Sequence, residues 1–375
     1  MNDAGQMLTL RHLATSASLA AFLFCAVGTA NAQPAPAPAA PAPAAAAPQG
    51  NPAATDAVDA IRARGRLLCG VSPATPGFAA QEVRAGWRGL DVDYCRAVAS
   101  AILGDPAKVQ FVPVPAAERF EILRRGSVDI LARNTTWTLD RDTAEGALFV
   151  GVTYYDGQGF LVRRDRGVTR VQQLDGATVC VEAGTTSERN LQDHARSARL
   201  RITPVPSRSA DAARAAFVGQ QCDALTGDTA SLAGFMAQQG SNGSRYAILF
   251  EVISKEPLGP VVRQNEQRLL RIARWTHFVM VAGEELGLDS AAVTQLQRGP
   301  AQNLATANQE VQVLFGRTGR SGEVLGLDAD WGARVLRQVG NYREVWERNI
   351  GPLGVQRGLN LLWNQGGLQY APPLR

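Results

Sequence analysis

The stretch Val128-Asp-Ile-Leu-Ala-Arg-Asn-Thr-Thr-Trp-Thr-Leu-Asp-Arg141 sets the terms on which the rest of the chain is read. Val128, Ile130 and Leu131 make a short apolar run of the kind a buried strand uses, after an amphipathic helix. The apolar character then stops. Arg133, Asn134, Thr135, Thr136, Trp137, Thr138 and Arg141 place two guanidinium forks, three hydroxyls, an amide and an indole within nine residues. A turn that only joined elements would draw on Gly, Pro and Asp. At the carboxyl end of a strand in an open α/β sheet, such a set is placed to hold a small polar ligand. A planar Arg fork suits a carboxylate, because two parallel N–H donors meet two oxygens.

Working outward, strands alternate with helices at the interval of βαβ units. Upstream come a short helix at 55–65, a strand at 66–71 and a Pro/Gly-broken loop at 72–89 carrying Phe78 and Trp87. Leu90, Tyr94, Cys95, Val98 and Ile102 recur at helical spacing, and Gly104 ends that helix. A strand at 109–114 and a helix at 116–125 lead into the quoted stretch. Downstream, 149–155 and 159–163 are expected to be extended, with Asp156-Gly157 between them. The alternation then restarts, with strands at 177–182, 202–205 and 222–226 and helices opening at Gly184, Ser209 and Asp228. Residues 246–253 are extended. From residue 265 the pattern is helical only, at 265–286, 289–297, 307–316 and 328–349. Helices without matching strands are read as the chain returning to cover the first lobe. That return needs two crossings, near 155–160 and 255–260, which makes a hinge with a cleft between two lobes.

Composition excludes several classes. The 375-residue chain is long enough for two modest lobes and has 19% charged and 6% aromatic residues, with net charge +4. That mild and scattered charge gives no nucleic-acid partner. Lys108 and Lys255 are the two lysines, so Arg is the default cation and any single Arg is weak evidence by itself. The N-terminus has the form of an export signal. Arg11 and His12 precede an apolar run from Leu13 to Ala30, and Ala30-Asn31-Ala32 is an A-x-A cleavage site, so the expected mature start is Gln33. The competing reading, a permanent anchor, lacks positive charge after the run, and Cys25 lacks the small residues that precede a lipidated cysteine. Residues 33–54 are Pro and Ala with little else, an extended tether or a tail without a role. Cys69, Cys95, Cys180 and Cys222 remain after cleavage, and an even number in an exported chain favours two disulfides. Cys69–Cys95 and Cys180–Cys222 each fall within one half, but four cysteines allow three pairings. No C-x-x-C spacing occurs and the three histidines are scattered, so no metal is expected.

The search for catalytic residues is negative: there is no G-x-S-x-G elbow, Walker loop or H-E-x-x-H. Glu82, Glu118 and Asp228 have no spacing that points to a hydrolase. Three elements converge on binding instead. Arg141 is one, with surface pairing to Asp140 or Asp142 as the competing reading. Gly184-Thr185-Thr186-Ser187 is a strand-to-helix turn whose free N–H groups and dipole favour an anion, or an ordinary helix cap. Asp228 follows Leu225-Thr-Gly at another strand's carboxyl end, again with helix capping as the alternative. An Arg with hydroxyls on one side, and an acid with backbone donors on the other, complement an α-amino-acid zwitterion.

At these residues the sequence resembles the periplasmic amino-acid-binding proteins of ABC transporters (solute-binding protein family 3), nearest to the general L-amino-acid branch. The matching runs are Gly89-Leu-Asp-Val-Asp-Tyr-Cys-Arg-Ala-Val98, residues 128–138, Val152-Thr-Tyr-Tyr-Asp-Gly-Gln-Gly-Phe160, Ile253-Ser-Lys-Glu-Pro-Leu-Gly-Pro260, Arg274-Trp-Thr-His-Phe278, Val339-Gly-Asn-Tyr342 and residues 358–375. The resemblance implies a two-lobed α/β periplasmic binding protein of type II. Each lobe is a βα sheet, with two hinge crossings and the C-terminal helices on lobe 1. The expected boundaries are a signal peptide at 1–32, the tether at 33–54, lobe 1 at 55–159 and 255–349, lobe 2 at 160–254, and a tail at 350–375 packed on the surface. It also implies that Arg141 binds the ligand carboxylate, that Thr136 adds a hydroxyl and N–H, and that the Asn134 carbonyl accepts from the α-ammonium. Asp228 pairs with that ammonium, Thr185 and Thr186 face the carboxylate, and Phe78 packs on the ligand side chain. A second aromatic of narrower family members falls near Ala116 or Ala117, which leaves room and implies broad specificity. Arg133, Trp137, Glu118 and Arg119 are pocket candidates that ion pairs and packing explain equally. Lys255, at a crossing, is assigned a hinge or ligand role, and Trp275 and His277 are placed in the core or on the lobe surface rather than in the site.

The expected function is therefore delivery of L-amino acids to a membrane permease by a periplasmic monomer without cofactor, catalytic residue or chemistry of its own. The alternative is a periplasmic enzyme on the same fold, resembling a cyclohexadienyl or arogenate dehydratase. A sensor or receptor-associated role is a third reading.

Overall fold

The computed structural model describes residues 56–82 and 86–375. The export signal, the Ala32 cleavage site and the Pro/Ala segment lie outside the described residues. No helix among those described is long and apolar enough to cross a membrane.

Two mixed sheets carry the fold. In the first, the strand order is Val109–Pro113, Leu67–Val71, Ile130–Leu131, Val261–Arg263, Ala147–Phe149. The first three run parallel, as βα connections require, and Val261–Arg263 is antiparallel to both its neighbours. In the second, the order is Thr203–Ser207, Thr178–Glu182, Ala224–Asp228, Tyr154–Arg163, Tyr246–Ile248, again with three parallel strands followed by antiparallel ones. The apolar central strands are buried on both faces, which explains why they read as continuous rather than alternating runs.

One strand links the two sheets. Tyr154–Arg163 runs without interruption, pairing with Lys255–Leu258 at its start and with the second sheet further on. The break expected at Asp156-Gly157 is therefore absent. The Asp156 side chain is used elsewhere, accepting from the Ala230 N–H at 3.1 Å and from the Thr229 hydroxyl. With its carboxylate buried in that way, Asp156 does not initiate a turn. The loop expected at 72–89 also contains structure, a small antiparallel sheet of Ala74–Thr75, Ala79–Glu82 and Gly86–Arg88.

The core of the first lobe forms around the Leu90–Leu103 helix, which is buried along nearly its whole length. Its entry requires glycine: a Cβ on Gly89, at φ +139°, would stand 1.9 Å from the Phe78 carbonyl oxygen. The Gln267–Glu285 helix returns to pack on it, together with Trp331–Gln338, so the C-terminal helices do cover this lobe. Leu336 is fully buried and fits a notch at Gly283, where a Cβ would lie 2.6 Å from it. Truncating such a leucine to Ala costs about 2–5 kcal/mol. The helix expected at 328–349 is two helices. The first ends at Gln338; Gly340, at φ +103°, turns the chain, and Asn341 with Glu344 forms a capping box for Tyr342–Asn349. Short helices at Ala301–Ala305 and Ser321–Leu325 were also not foreseen.

The C-terminal tail does more than lie on the surface. Asn360 is buried and grips the linking strand with both ends of its amide, accepting from the Tyr155 N–H at 2.7 Å and donating to the Tyr155 carbonyl at 2.9 Å. Gln369 is buried against His277 and Tyr342. Both disulfides have the arrangement the two halves suggested, Cys69–Cys95 with Cα atoms 6.3 Å apart and Cys180–Cys222 with Cα atoms 5.8 Å apart.

Candidate ligand-binding site

A cavity lies between the carboxyl ends of the strands of the two lobes. Asn134, Thr136, Thr185, Thr186 and Asp228 line it, along with Arg119, Arg133, Glu182, Ser187 and Arg214. Its volume is about 60 Å³, room for a handful of water-sized groups. The lobes are drawn together around it. The Asn134 amide donates to Asp228 at 3.0 Å, Arg119 donates to the Gly184 carbonyl at 3.0 Å, Arg214 donates to the Ala74 carbonyl at 2.7 Å, and the Thr136 and Thr186 hydroxyls stand 3.1 Å apart.

The turn after Ile130–Leu131 is held in an unusual conformation. Asn134 has φ +39°, a left-handed value that Asn tolerates better than most residues. Its N–H donates to the Asp91 carboxylate at 2.8 Å, and Asp91 is buried in the first turn of the Leu90–Leu103 helix. Burial pushes the Asp91 pKa up to about 7, against the pull of that hydrogen bond and of Arg133. The Asn134 side-chain oxygen is buried without a partner. An acceptor of this kind beside a carboxylate is suited to an ammonium group.

Asp228 stands at the N-cap position of the Thr229–Gln238 helix but makes no capping bond. Asp156 binds the Ala230 N–H instead, which leaves the Asp228 carboxylate in the cavity. Burial, then the negative charges of Asp156 and Glu256, push the Asp228 pKa well up. Thr185, in contrast, is a true cap, accepting from the Glu188 N–H at 3.3 Å. Thr186 and Ser187 follow it, buried, in the first turn of the Thr186–Ala198 helix, where N–H groups lack helical partners.

Arg141 does not line the cavity. It lies directly behind Thr136, donating to that residue's carbonyl at 2.9 Å, with its guanidinium 5.8 Å from the centre of the Phe120 ring. It is buried and has no ion pair with Asp140 or Asp142 among the described residues. Burial lowers its pKa to about 10, and the carboxylates of Glu256 and Asp228 oppose that shift. Arg141 and Asp228 therefore belong to one electrostatic neighbourhood.

Other expected neighbours are not brought to the cavity either. Phe78 is fully buried, edge-on to Tyr154 at 5.0 Å. Trp137 stacks on Phe149 at 5.2 Å. Neither Ala116 nor Ala117 lines the cavity, and the Gly184 turn passes Ala117 so closely that a Cβ on Gly184 would stand 3.3 Å from it. Glu118 also lies outside the lining.

Four polar residues at the site were not foreseen, the buried Asp91, Arg214 and Glu256 and the half-buried Asp156. Glu256 has the largest hydrogen-bond load, accepting from the hydroxyls of Thr136 at 2.6 Å, Thr186 at 3.1 Å and Ser254 at 2.6 Å and from the Asn190 amide at 2.8 Å. It could have been found from alternation along 255–258. Lys255 is exposed, so Glu256 must point inward.

Over residues 67–296 the sequence matches the bacterial extracellular solute-binding proteins, family 3. The chain belongs to that family. Among its relatives in the family is the general L-amino acid-binding periplasmic protein AapJ of Rhizobium johnstonii. The two are 43% identical over 328 residues, covering 86% of this chain and 94% of that protein. The glutamate/glutamine/aspartate/asparagine-binding protein BztA of Rhodobacter capsulatus is 44% identical over 326 residues, covering 86% of this chain and 94% of BztA. The fold is also similar to that of an ABC transporter periplasmic binding protein from Brucella ovis with glutathione bound. There the TM-score is 0.81 and the identity 44%, covering 85% of this chain and 99% of that one. All three are binding proteins, and the one from Brucella ovis belongs to an ABC transporter.

Proposed function

We propose that this chain is the periplasmic substrate-binding component of an amino-acid ABC transporter, exported with cleavage after Ala32 and acting as a monomer. It takes up an L-amino acid between lobes spanning 55–159 with 255–349 and 160–254, and hands it to the membrane permease. The observation that carries this reading is the uncapped, buried Asp228 carboxylate, which takes the Asn134 amide at 3.0 Å, together with the Asn134 side-chain oxygen left buried without a partner. Both are acceptors, and an α-ammonium satisfies both. The α-carboxylate goes to the Thr136 N–H, the helix N-terminus at Thr186 and, once the lobes part enough to bring it to the cavity, Arg141, where charge-assisted bonds and the dipole favour an anion. Because the closed cavity is small, an amino acid larger than the void is accommodated by a small parting of the lobes about the paired 154–157 and 255–258 segments.

The ligands named for the three relatives share this chemistry. L-Amino acids have a zwitterionic head, and glutathione has the same head on its γ-glutamyl residue. The dehydratase-like alternative would need a general acid or base poised over a substrate ring, and the relatives favour binding.

Calorimetry of Arg141→Ala with the twenty L-amino acids tests the assignment. Two charge-assisted hydrogen bonds of about 1.5–3 kcal/mol each are at stake, so affinity should fall on the order of a hundredfold or more while the fold is retained. Unchanged affinity would rule the reading out.

A further inference from the structure

We propose that the turn at 75–78 is a rigid peg of the first lobe that seats at Gly234 of the second lobe only when the lobes come together. The missing side chain of Gly234 then sets how tightly every ligand is held. This rests on the amino-acid reading above and deepens it: Gly234 is a positioning residue for closure.

The peg is stiff. Pro76 and Gly77 occupy the central places of the turn, Gly77 at φ +83°, and the Phe78 N–H donates to the Thr75 carbonyl at 3.0 Å. Proline followed by a residue of positive φ is what a type II turn requires. The Ser72 and Thr75 hydroxyls stand 2.6 Å apart, and the Gly77 carbonyl accepts from the Leu90 N–H at 2.8 Å. That second bond ties the turn to the start of the central helix. The first lobe also backs the turn from behind, since a Cβ on Gly77 would stand 2.7 Å from Leu353 and 3.0 Å from Ile350. Pressed from the front, the turn has nowhere to retreat.

The notch lies in the Thr229–Gln238 helix, which opens directly after Asp228. Glycine weakens a helix interior relative to alanine, so Gly234 needs a packing reason. A Cβ on Gly234 would lie 2.9 Å from both the Pro76 Cβ and the Pro76 carbonyl oxygen. Neither atom is the loose end of a side chain: one belongs to the proline ring and the other to the main chain. Arg214, buried on the adjoining Ala210–Val218 helix, fastens the same contact. It donates to the Ala74 carbonyl, next to the peg, at 2.7 Å and to the Ser231 hydroxyl, on the notched helix, at 2.9 Å.

Neither Pro76 nor Gly234 lines the cavity, so the contact is made without the ligand. Parted lobes withdraw the peg, and a side chain at 234 then has no peg to meet. Apparent affinity is the affinity of the closed form scaled by the fraction of molecules able to close. A larger residue at 234 lowers that fraction by one factor for all ligands.

Calorimetry of wild type, Gly234→Ala and Gly234→Val with L-glutamate, L-glutamine and L-alanine tests this, alongside melting curves without ligand. Gly234→Val should lose roughly ten- to a hundredfold in affinity, by the same factor for each ligand, and Gly234→Ala less. The ligand-free melting temperature should hold or rise in both, because alanine and valine are better helix formers than glycine. Adding Pro76→Gly to Gly234→Val removes one of the two clashing atoms and should recover part of the affinity. The proposal is overturned if Gly234→Val binds as tightly as wild type. It is also overturned if the ratios between ligands change, which would make position 234 a ligand contact, or if the ligand-free melting temperature falls along with affinity, which would make the contact part of the ligand-free packing. Binding of none of the twenty amino acids by wild type would instead overturn the amino-acid reading, and this proposal with it.

Discussion

The Asn134 amide donates to the Asp228 carboxylate at 3.0 Å, joining the first lobe to the second across the mouth of the cavity. Without ligand this is the main hydrogen bond Asp228 receives from the opposite lobe, and burial with Asp156 and Glu256 close by favours its protonated form. A ligand ammonium requires the ionised form. Binding must therefore expel a proton, and affinity must rise with pH through the range in which Asp228 titrates, which lies well above the ordinary carboxylate range. Calorimetry at pH 6 in two buffers of different ionisation enthalpy should show net proton release, absent in Asp228→Asn. Equal heats in both buffers would exclude the coupling.

Asp91 holds the Asn134 turn from below, so its effect on the ligand is indirect. Asp91→Ala removes the acceptor that fixes the left-handed Asn134 backbone, and leaving that N–H unpaired costs about 1–3 kcal/mol. Amino-acid affinity should fall for every ligand together. The pH effect has a definite sign. Asp91 titrates near 3.8 unfolded and about 7 folded, so its contribution to stability is complete below pH 4 and is lost as pH rises through 7. That difference amounts to at most about 4 kcal/mol, at 1.36 kcal/mol per pH unit. Asp91→Asn cannot ionise and should flatten the decline in melting temperature between pH 5 and 8. A parallel decline in both proteins would contradict the assignment.

Glu256 gathers the Thr136 hydroxyl from one lobe and the Thr186 hydroxyl from the other on a single oxygen. Each such bond to a charged acceptor is worth about 1.5–3 kcal/mol. Glu256→Ala should therefore weaken binding of all amino acids at least roughly tenfold, with Glu256→Gln intermediate. If small-angle scattering shows the variant closing on ligand as compactly as wild type, and affinity is unchanged, the bridge has no part in closure.

What sequence made legible was the frame. The alternation of strands and helices, the two crossings and the return of the C-terminal helices could be read because burial writes periodicity into the chain. Asn134, Thr136, Thr186 and Asp228 could be placed because each follows a strand's carboxyl end. Side-chain allegiance was not legible. Asp156-Gly157 has the composition of a turn, yet its carboxylate replaces Asp228 as the helix cap through a contact 74 residues away in sequence. Phe78 has the right type for a ligand platform but packs on Tyr154, because Gly89 lets the chain close over it. The 328–349 helix read as continuous because apolar spacing carries across Gly340, and only the capping box reveals the break.

The two disulfides test how far stability and closure are separable. Cys69–Cys95 joins a central strand to its covering helix across 26 residues, and Cys180–Cys222 joins two points of the second lobe across 42. Restricting the unfolded chain by loops of those lengths stabilises by about 3.5 and about 4 kcal/mol respectively. Neither bridge crosses the hinge, so neither limits the movement of one lobe against the other. Cys180→Ala with Cys222→Ala should lower the denaturation midpoint measurably, and the pair in the first lobe should do so by a similar amount. Amino-acid affinity at a temperature where the variants remain folded should stay within a few-fold of wild type. A large loss of affinity in a folded, bridge-free variant would mean that the bridges set the cavity walls as well as the stability of each lobe.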